Sequence, residues 1–137
     1  LSVLLVNEIE SMQLASQLWL PATDPILAAT SLKENYGLDV IVTLGAEGAV
    51  AVTDTRKIFV PAADLEVVDT VGAGDAFCGA LAAALDDGQA LAESLAFASA
   101  AGGLTCAEHG AQATAVGKPE IETVAATLLP KIRFEAN

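Results

Sequence analysis

A loop of small residues, flanked by two segments of different pattern, limits what this chain can fold into more than any other feature. The loop spans residues 69–75 and reads Asp-Thr-Val-Gly-Ala-Gly-Asp. Residues 65–68 before it predict a strand, whereas residues 75–85 after it are rich in alanine and leucine and predict a helix. Its glycines let a ligand approach backbone N–H groups at the helix N-terminus, where the helix dipole favours anions. The loop therefore predicts an anion site at a strand-to-helix turn.

Asp75 ends this loop and would lie beside any anion bound there. A carboxylate next to a bound phosphate can accept the proton of an attacking hydroxyl, so the pattern favours phosphoryl transfer to an alcohol. Two simpler explanations compete with this hypothesis. Asp75 could be only the N-cap of the helix, and the glycines could serve a tight turn without a ligand.

Three further motifs lie elsewhere in the chain. Residues 2–6 predict a buried strand, which ends at an Asn-x-x-Glu sequence formed by Asn7 and Glu10. Residues 39–44 predict a second buried strand, which leads into the Thr-Leu-Gly-Ala-Glu-Gly loop of residues 43–48. The third motif is His-Gly-Ala-Gln at residues 109–112. The first motif lies where open α/β sheets bind ligands, and the glycines of the second permit close approach of a nucleotide.

The other segments complete an alternation of helices and strands. A helix is predicted after the first strand as far as residue 17. Asp24 followed by Pro25 predicts the start of the next helix, which Gly37 ends. The remaining predicted elements are a hairpin over residues 49–53 and 57–61 and helices over residues 90–107 and 119–129. This alternation favours an α/β fold with a mainly parallel sheet.

Together with the Gly-Ala-Leu-Ala sequence of residues 79–82, the four motifs closely resemble, in order, those of the ribokinase-like (phosphofructokinase-B type) carbohydrate kinases. The resemblance covers all 137 residues but only about the C-terminal half of a typical member. It implies the C-terminal part of a ribokinase-like three-layer α/β/α sandwich with a mainly parallel sheet. We expect residues 1–137 to form the nucleotide-binding and catalytic part, with the N-terminal half, its sugar site and its lid lying outside this chain.

The resemblance also implies roles for individual residues. Asp75 would be the catalytic base and would contact the sugar hydroxyl, and an anion hole would be formed by Gly72, Ala73 and Gly74. Residues implied to bind the nucleotide are Asn7, Thr43, Gly45, Ala46, Glu47, Gly48, Gly74 and Ser99. Ser99 lies where the family often has a larger side chain near the adenine.

Two cation sites follow from the same resemblance. Asn7 and Glu10 would hold Mg²⁺, whose preferred ligands are hard oxygens and water. The residues implied to bind K⁺ are Asp69, Val71, Thr105, Glu108, Gly110 and Thr114. The alternatives are again local structure, because Asn7 and Glu10 also form a capping-box pattern and Asp69 could simply start a turn.

Composition excludes some functions. The net charge is −12, with only 6 Lys and Arg residues, which argues against nucleic acid as a partner. No apolar run is long enough to span a membrane. Cys78 and Cys106 have apolar neighbours and no zinc-site spacing, so we expect buried free thiols and a cytoplasmic protein. Trp19 is expected to pack in the interior rather than stack on a ligand.

The implied activity is transfer of the γ-phosphate of ATP to a sugar hydroxymethyl group, with Mg²⁺ and K⁺ as cofactors. The Gly-Ala-Gln sequence of residues 110–112 favours the ribokinase branch of the family. Fructose, ketodeoxygluconate and nucleoside kinases remain alternatives, as does a nucleotide-binding fragment without turnover. The 137 residues alone are expected to be inactive, and the full-length protein could be a homodimer. A dinucleotide enzyme is disfavoured because the loop lacks the third glycine of that fingerprint.

Overall fold

The computed structural model describes residues 3–20, 22–107 and 117–136. The strands are β1 (Val3–Asn7), β2 (Asp39–Thr43), β3 (Ala49–Val52), β4 (Arg56–Val60) and β5 (Arg133–Ala136). The α-helices are α1 (Glu8–Gln17), α2 (Pro25–Tyr36), α3 (Ala73–Asp86), α4 (Leu91–Ala107) and α5 (Lys118–Leu128). The chain forms two compact units, the first comprising Leu1–Phe59 with Arg133–Asn137 and the second Val60–Ile132.

The sheet has the strand order β1-β2-β3-β4-β5. β1 pairs with β2 in parallel, whereas the pairs β2–β3 and β4–β5 are antiparallel. The predicted α/β class is therefore confirmed, but the described part of the sheet is mixed rather than mainly parallel. For β2 and β3 the reason is local, since the five residues that join them are too few for a parallel crossover.

Both helices of the first unit begin with side-chain caps. The Oδ1 atom of Asp24 accepts hydrogen bonds from the N–H groups of Ile26 and Leu27, at 3.0 and 2.9 Å. Pro25 occupies the first turn of α2, and Gly37 ends the helix in the left-handed conformation. These start and stop signals lie where the sequence predicted them.

Lys33 ties α2 to two strand ends. Its buried amine lies 2.7 Å from an oxygen of Asp54, in the hairpin turn, and 3.2 Å from an oxygen of Asp39, at the start of β2. The hydrogen bond to Asp54, aided by the one to Asp39, raises the pKa of Lys33 although desolvation opposes the shift. The amine therefore stays charged while it holds the two acidic residues.

The core of the first unit lies between the sheet and its helices. Its buried members are Val6, Ala29, Leu32, Val40, Val42, Val50 and Val52. Burying a side chain of valine or leucine size contributes about 1.5–3 kcal/mol, so this cluster is a principal source of stability for the first unit.

The second unit is helical, with α4 packed against both α3 and α5. α4 is buried over most of its length, and its many small alanine side chains let the neighbouring helices approach closely. None of the helices in the described ranges is long and apolar enough to cross a bilayer.

Three further sequence predictions are corrected by the structure, and one strand was not predicted. Residues 65–68 form no strand; the N–H of Val68 instead donates to the carbonyl of Cys106, at 2.7 Å. β5 was not predicted, because its four residues are all exposed and lack an alternating apolar pattern. Trp19 is 93% exposed rather than packed. Cys78 and Cys106 are free thiols as predicted, but Cys78 is exposed and Cys106 only partly buried.

Candidate functional site

The first unit brings two of the predicted motifs to one edge of the sheet. Asn7 ends β1, Thr43 ends β2, and the two are direct partners in the parallel register. The carboxyl ends of both strands therefore face the same way, which is where ligands bind in open α/β sheets. The register places the Asn-x-x-Glu motif beside the glycine loop that follows β2.

Asn7 and Glu10 form a complete capping box. The N–H of Glu10 donates to Oδ1 of Asn7 at 2.8 Å, and the N–H of Asn7 donates to Oε1 of Glu10 at 2.9 Å. The alternative that the sequence left open for these residues is thus realised. It uses one oxygen of each side chain, so the second carboxylate oxygen of the exposed Glu10 lies outside the box. A hard oxygen of this kind fits Mg²⁺.

The loop after β2 is a single 3₁₀ turn, Gly45–Glu47, closed by backbone hydrogen bonds. The N–H of Leu44 donates to the carbonyl of Gly48 at 2.8 Å, and the N–H of Gly48 donates to that of Gly45. Gly48 has φ 97° and ψ −130°, a conformation that residues with a Cβ atom rarely adopt. The predicted nucleotide residues of this loop are exposed from Gly45 to Glu47 and form a tight, open turn.

In the second unit, the loop before α3 begins with a turn that starts at Asp69. The N–H of Val71 donates to Oδ1 of Asp69 at 2.9 Å, so the turn-starting role that competed with a cation site is present. Gly72 then adopts φ 83° and is the N-cap of α3. The helix begins two residues earlier than predicted, which places Asp75 at the third helical position. The interpretation of Asp75 as an N-cap is therefore wrong.

The first turn of α3 offers backbone donors to a ligand. Ala73 donates its N–H to the carbonyl of Thr70 at 3.2 Å. The N–H groups of Gly72, Gly74 and Asp75 have no acceptor among residues 3–20, 22–107 and 117–136. A Cβ placed on Gly74 would meet nothing within 4 Å. Of the predicted anion hole, Gly72 and Gly74 thus carry the donors, and sequence reasoning missed the N–H of Asp75.

Asp75 is exposed and adjoins these donors in the chain. As the acidic residue of the first turn of α3, it also interacts favourably with the positive end of the helix dipole. Its carboxylate is therefore accessible and stably placed, and it can accept a proton from a ligand hydroxyl that reaches it.

The end of α4 meets the loop from the other side. The carbonyl of Cys106 accepts hydrogen bonds from the N–H groups of Val68 and Asp69, at 2.7 and 2.9 Å. Burial, and to a smaller extent the charge of Asp69, raise the pKa of the Cys106 thiol. Thr105 is buried beside Gly72, whose added Cβ would lie 3.7 Å from the methyl group of Thr105.

Of the six predicted K⁺ ligands, the structure gathers Asp69, Val71 and Thr105 around one loop. Glu108, Gly110 and Thr114, like the motif at residues 109–112, lie outside the described residues. The ligand atoms that Asp69, Val71 and Thr105 could offer are oxygens, which suit a hard cation. Within the described part of the chain, no three His, Cys, Asp or Glu side chains cluster in a way that could hold a metal ion. Any cation here would therefore depend on carbonyl, hydroxyl or amide oxygens and water as well.

Ser99 is buried in the middle of α4. Its hydroxyl donates to the carbonyl of Pro61 at 2.7 Å. The hydroxyl proton is therefore already engaged, so Ser99 could contact adenine only as a hydrogen-bond acceptor. The proposed nucleotide role of Ser99 stays a prediction.

Two open grooves in the second unit share Gln89, Phe97 and Lys118 in their walls. Neither groove contains a residue that the sequence motifs single out. The loop of residues 69–75, the candidate anion-binding loop, has both accessible donors and an accessible carboxylate, so it is the better candidate for chemistry.

Comparison with known proteins places these features in a family. The family model for pfkB carbohydrate kinases matches residues 2–117. The chain therefore belongs to the pfkB family of carbohydrate kinases, as the motifs predicted.

Individual relatives agree with this result. The chain is 36% identical over 104 residues to the ribokinase of Lactococcus lactis, covering 76% of this chain and 34% of that protein. It resembles the crystal structure of ribokinase from Thermotoga maritima with a TM-score of 0.82 and 32% identity, covering 92% of this chain and 42% of that one. It also resembles phosphofructokinase-2 from Escherichia coli in complex with potassium, with a TM-score of 0.78 and 25% identity, covering 95% and 41%. The chain thus spans about a third of its curated relative and about two fifths of each structure.

Proposed function

We propose that the protein to which this chain belongs is a cytoplasmic, ATP-dependent sugar kinase that phosphorylates a sugar hydroxymethyl group. Membership of the pfkB family supports the activity. The observation that carries it is the first turn of α3, where three N–H groups without described acceptors adjoin the exposed carboxylate of Asp75. Donors for a phosphate and a base for a hydroxyl are the two components that phosphoryl transfer needs.

In this proposal Asp75 accepts the proton of the sugar hydroxyl as its oxygen attacks the γ-phosphorus. The N–H groups of Gly72, Gly74 and Asp75 donate to the phosphoryl oxygens, whose negative charge they stabilise. Because these donors are held by the helix, they need little reorganisation during the reaction. The base and the donors are close in sequence, so one element orients both.

The remaining roles in this scheme are those that the family resemblance implies. Thr43 and residues 45–48 would contact the phosphates and ribose, and Ser99 would contact the adenine. Asn7 and Glu10 would hold Mg²⁺, which when bound offsets the negative charge of the phosphates. Asp69, Val71 and Thr105 would contribute to a K⁺ site next to the donor loop, a proposal supported by the potassium complex of E. coli phosphofructokinase-2.

Ribose is the sugar that we propose first, because ribokinases from two organisms are similar to this chain. Phosphofructokinase-2 is similar as well, so a sugar phosphate is the principal alternative. The sugar site itself would lie in the part of the protein that precedes these 137 residues in the family pattern. The 137 residues alone are then expected to bind nucleotide without turnover.

Substitution of Asp75 tests the function. In the protein that carries the complete kinase, Asp75→Asn should lower kcat by about 10²–10⁴-fold, the usual contribution of a general base. Nucleotide affinity should be retained, because the proposed nucleotide contacts of Thr43 and residues 45–48 are left intact. Asp86→Asn is the matched control, since it removes an exposed carboxylate at the opposite end of α3 and should leave kcat unchanged. Turnover is measured with Mg²⁺ against ribose, fructose, fructose phosphates, ketodeoxygluconate and nucleosides, in K⁺ and in Na⁺.

The arms of this experiment separate the parts of the proposal. Equal activity of Asp75→Asn and wild type would remove Asp75 from the base role. Equal rates in K⁺ and Na⁺ would contradict the K⁺ site alone. If ATP binds but no sugar stimulates turnover, a nucleotide-binding module is the better account.

A further inference from the structure

The last two turns of α4 contact several residues of the segment that leads to the proposed anion-binding donors. The carbonyl of Cys106, one of the last carbonyls of the helix, accepts from Val68 and Asp69. Thr105 adjoins Gly72. Carbonyls in the last turn of a helix lack hydrogen-bond donors within the helix. The N–H groups of Val68 and Asp69 supply those donors to α4, and the same hydrogen bonds hold the loop against the helix end.

Two consecutive glycines make the closest part of this contact possible. A Cβ on Gly102 would lie 3.4 Å from the carbonyl oxygen of Ala73, the first residue of α3. A Cβ on Gly103 would lie 2.7 Å from the Cβ of Ala63, closer than two such atoms can approach. The Cβ of Ala63 is fixed to the backbone and cannot rotate away. Any side chain at position 103 must therefore displace residues 61–65 or α4.

Glycine inside a helix destabilises it by roughly 0.5–1 kcal/mol relative to alanine. Gly102 and Gly103 are both interior to α4, and neither has a positive φ that would require glycine. Close approach of the neighbouring chain at Ala63 and Ala73 is therefore the structural explanation for the two glycines. A glycine pair in a predicted helix is also the sequence signal that could have revealed this contact.

We propose that Gly103 is a positioning residue for the anion-binding loop, because it lets residues 61–65 lie against α4 and so sets the path of the loop into α3. This inference rests on the proposed kinase function. A shift of the backbone at Ala63 would also shift Val68 and Asp69, whose N–H groups donate to the Cys106 carbonyl. The positions of Gly72 and Gly74, which follow in the chain, would change with them. The residue acts through the backbone and touches no substrate.

Gly103→Ala is the test, made in the complete kinase at a temperature well below its melting point. It should lower kcat about tenfold or more, since small misplacements of catalytic groups have effects of this size. The KM for ATP should change little, because the donors stabilise the transferring phosphoryl group more than the bound nucleotide. Gly79→Ala is the control for the backbone effect, because Gly79 is helical, exposed and free of neighbours within 4 Å of an added Cβ. It should raise the melting temperature and leave the amide NMR shifts of Gly72 and Gly74 in place.

A compensating variant keeps the inference testable if Gly103→Ala is unstable. Ala63→Gly combined with Gly103→Ala exchanges the two side chains across the contact. It should restore most of the lost kcat and return the Gly72 and Gly74 amide shifts toward wild type. Unchanged kcat and amide shifts in folded Gly103→Ala would overturn the inference while leaving the kinase function intact. A wild-type protein inactive with every sugar would instead overturn the kinase function, and the amide shifts would still decide the positioning role.

Discussion

Several polar residues in the candidate site use part of their bonding capacity for local structure. Asp69 accepts from its own turn through one oxygen, and Glu10 does the same within the capping box. A carboxylate has two oxygens and about four lone-pair sites, so a local bond leaves room for a ligand. Local and functional explanations of one residue are therefore compatible here, and sequence patterns alone could not choose between them.

The two cysteines give a prediction at the residue scale. Only the thiolate is nucleophilic, and burial together with Asp69 raises the pKa of Cys106. At pH 8, exposed Cys78 should react with a thiol reagent at least about tenfold faster than Cys106. The rates are measured separately in Cys106→Ser and Cys78→Ser.

The pH dependence follows with a definite sign. The rate for Cys106 should keep rising above pH 9, because its thiolate forms only at higher pH. Asp69→Asn should shift that curve to lower pH, since it removes a negative charge that disfavours the thiolate. Equal rates for the two thiols at pH 8, or no shift with Asp69→Asn, would contradict the structure around Cys106.

At the scale of elements, predictability depended on whether the signals were local. Asp24, Pro25 and Gly37 define α2 because a cap, a first-turn proline and a left-handed C-cap act within a few residues. Residues 65–68 had strand composition, but within the described ranges no strand lies beside them, and Val68 bonds to a helix end instead. β5 exists through its pairing with β4, about 75 residues away in the chain, which no short pattern can show.

The cap of α2 can be measured directly. Asp24→Ala removes the acceptor of two N–H groups and should lower the free energy of unfolding by about 1 kcal/mol. Asp24→Asn keeps an acceptor oxygen at the same position and should have a much smaller effect. Urea denaturation of the two variants beside wild type gives both values. Equal losses would show that the charge of Asp24, rather than the cap, stabilises the helix.

At the scale of the whole molecule, charge dominates. The chain has 18 acidic and 6 basic residues, so its folded form experiences net self-repulsion at neutral pH. A ligand with negative charge would then depend on backbone donors and cations rather than on a basic surface. The family was predictable because its motifs are contiguous. The anion-binding role of residues 69–75 and the K⁺ role of Asp69, Val71 and Thr105 stay predictions, and the second of these depends on how α4 lies against the loop.

Salt should therefore stabilise the chain. Raising NaCl from 10 to 150 mM shortens the screening length to about 8 Å and should raise the melting temperature by roughly 2–5 °C at pH 7. At pH 5, nearer the isoelectric point of about 4.1, the increase should be smaller. Thermal scans by circular dichroism measure both. A melting temperature that falls with salt would mean that local ion pairs, such as those of Lys33, outweigh the net charge.

The register of β1 on β2 has a consequence for tolerance to mutation. Asn7 and Thr43 lie side by side only because Val6 pairs with Val42 and Leu4 with Val40 along the same two strands. A slip of one residue would turn the buried valines outward and separate the two motifs at the same time. Selection for a dry interior thus also keeps the two motifs aligned at this edge of the sheet. Mutations within the polar motifs cannot change that alignment while the buried apolar residues keep the register.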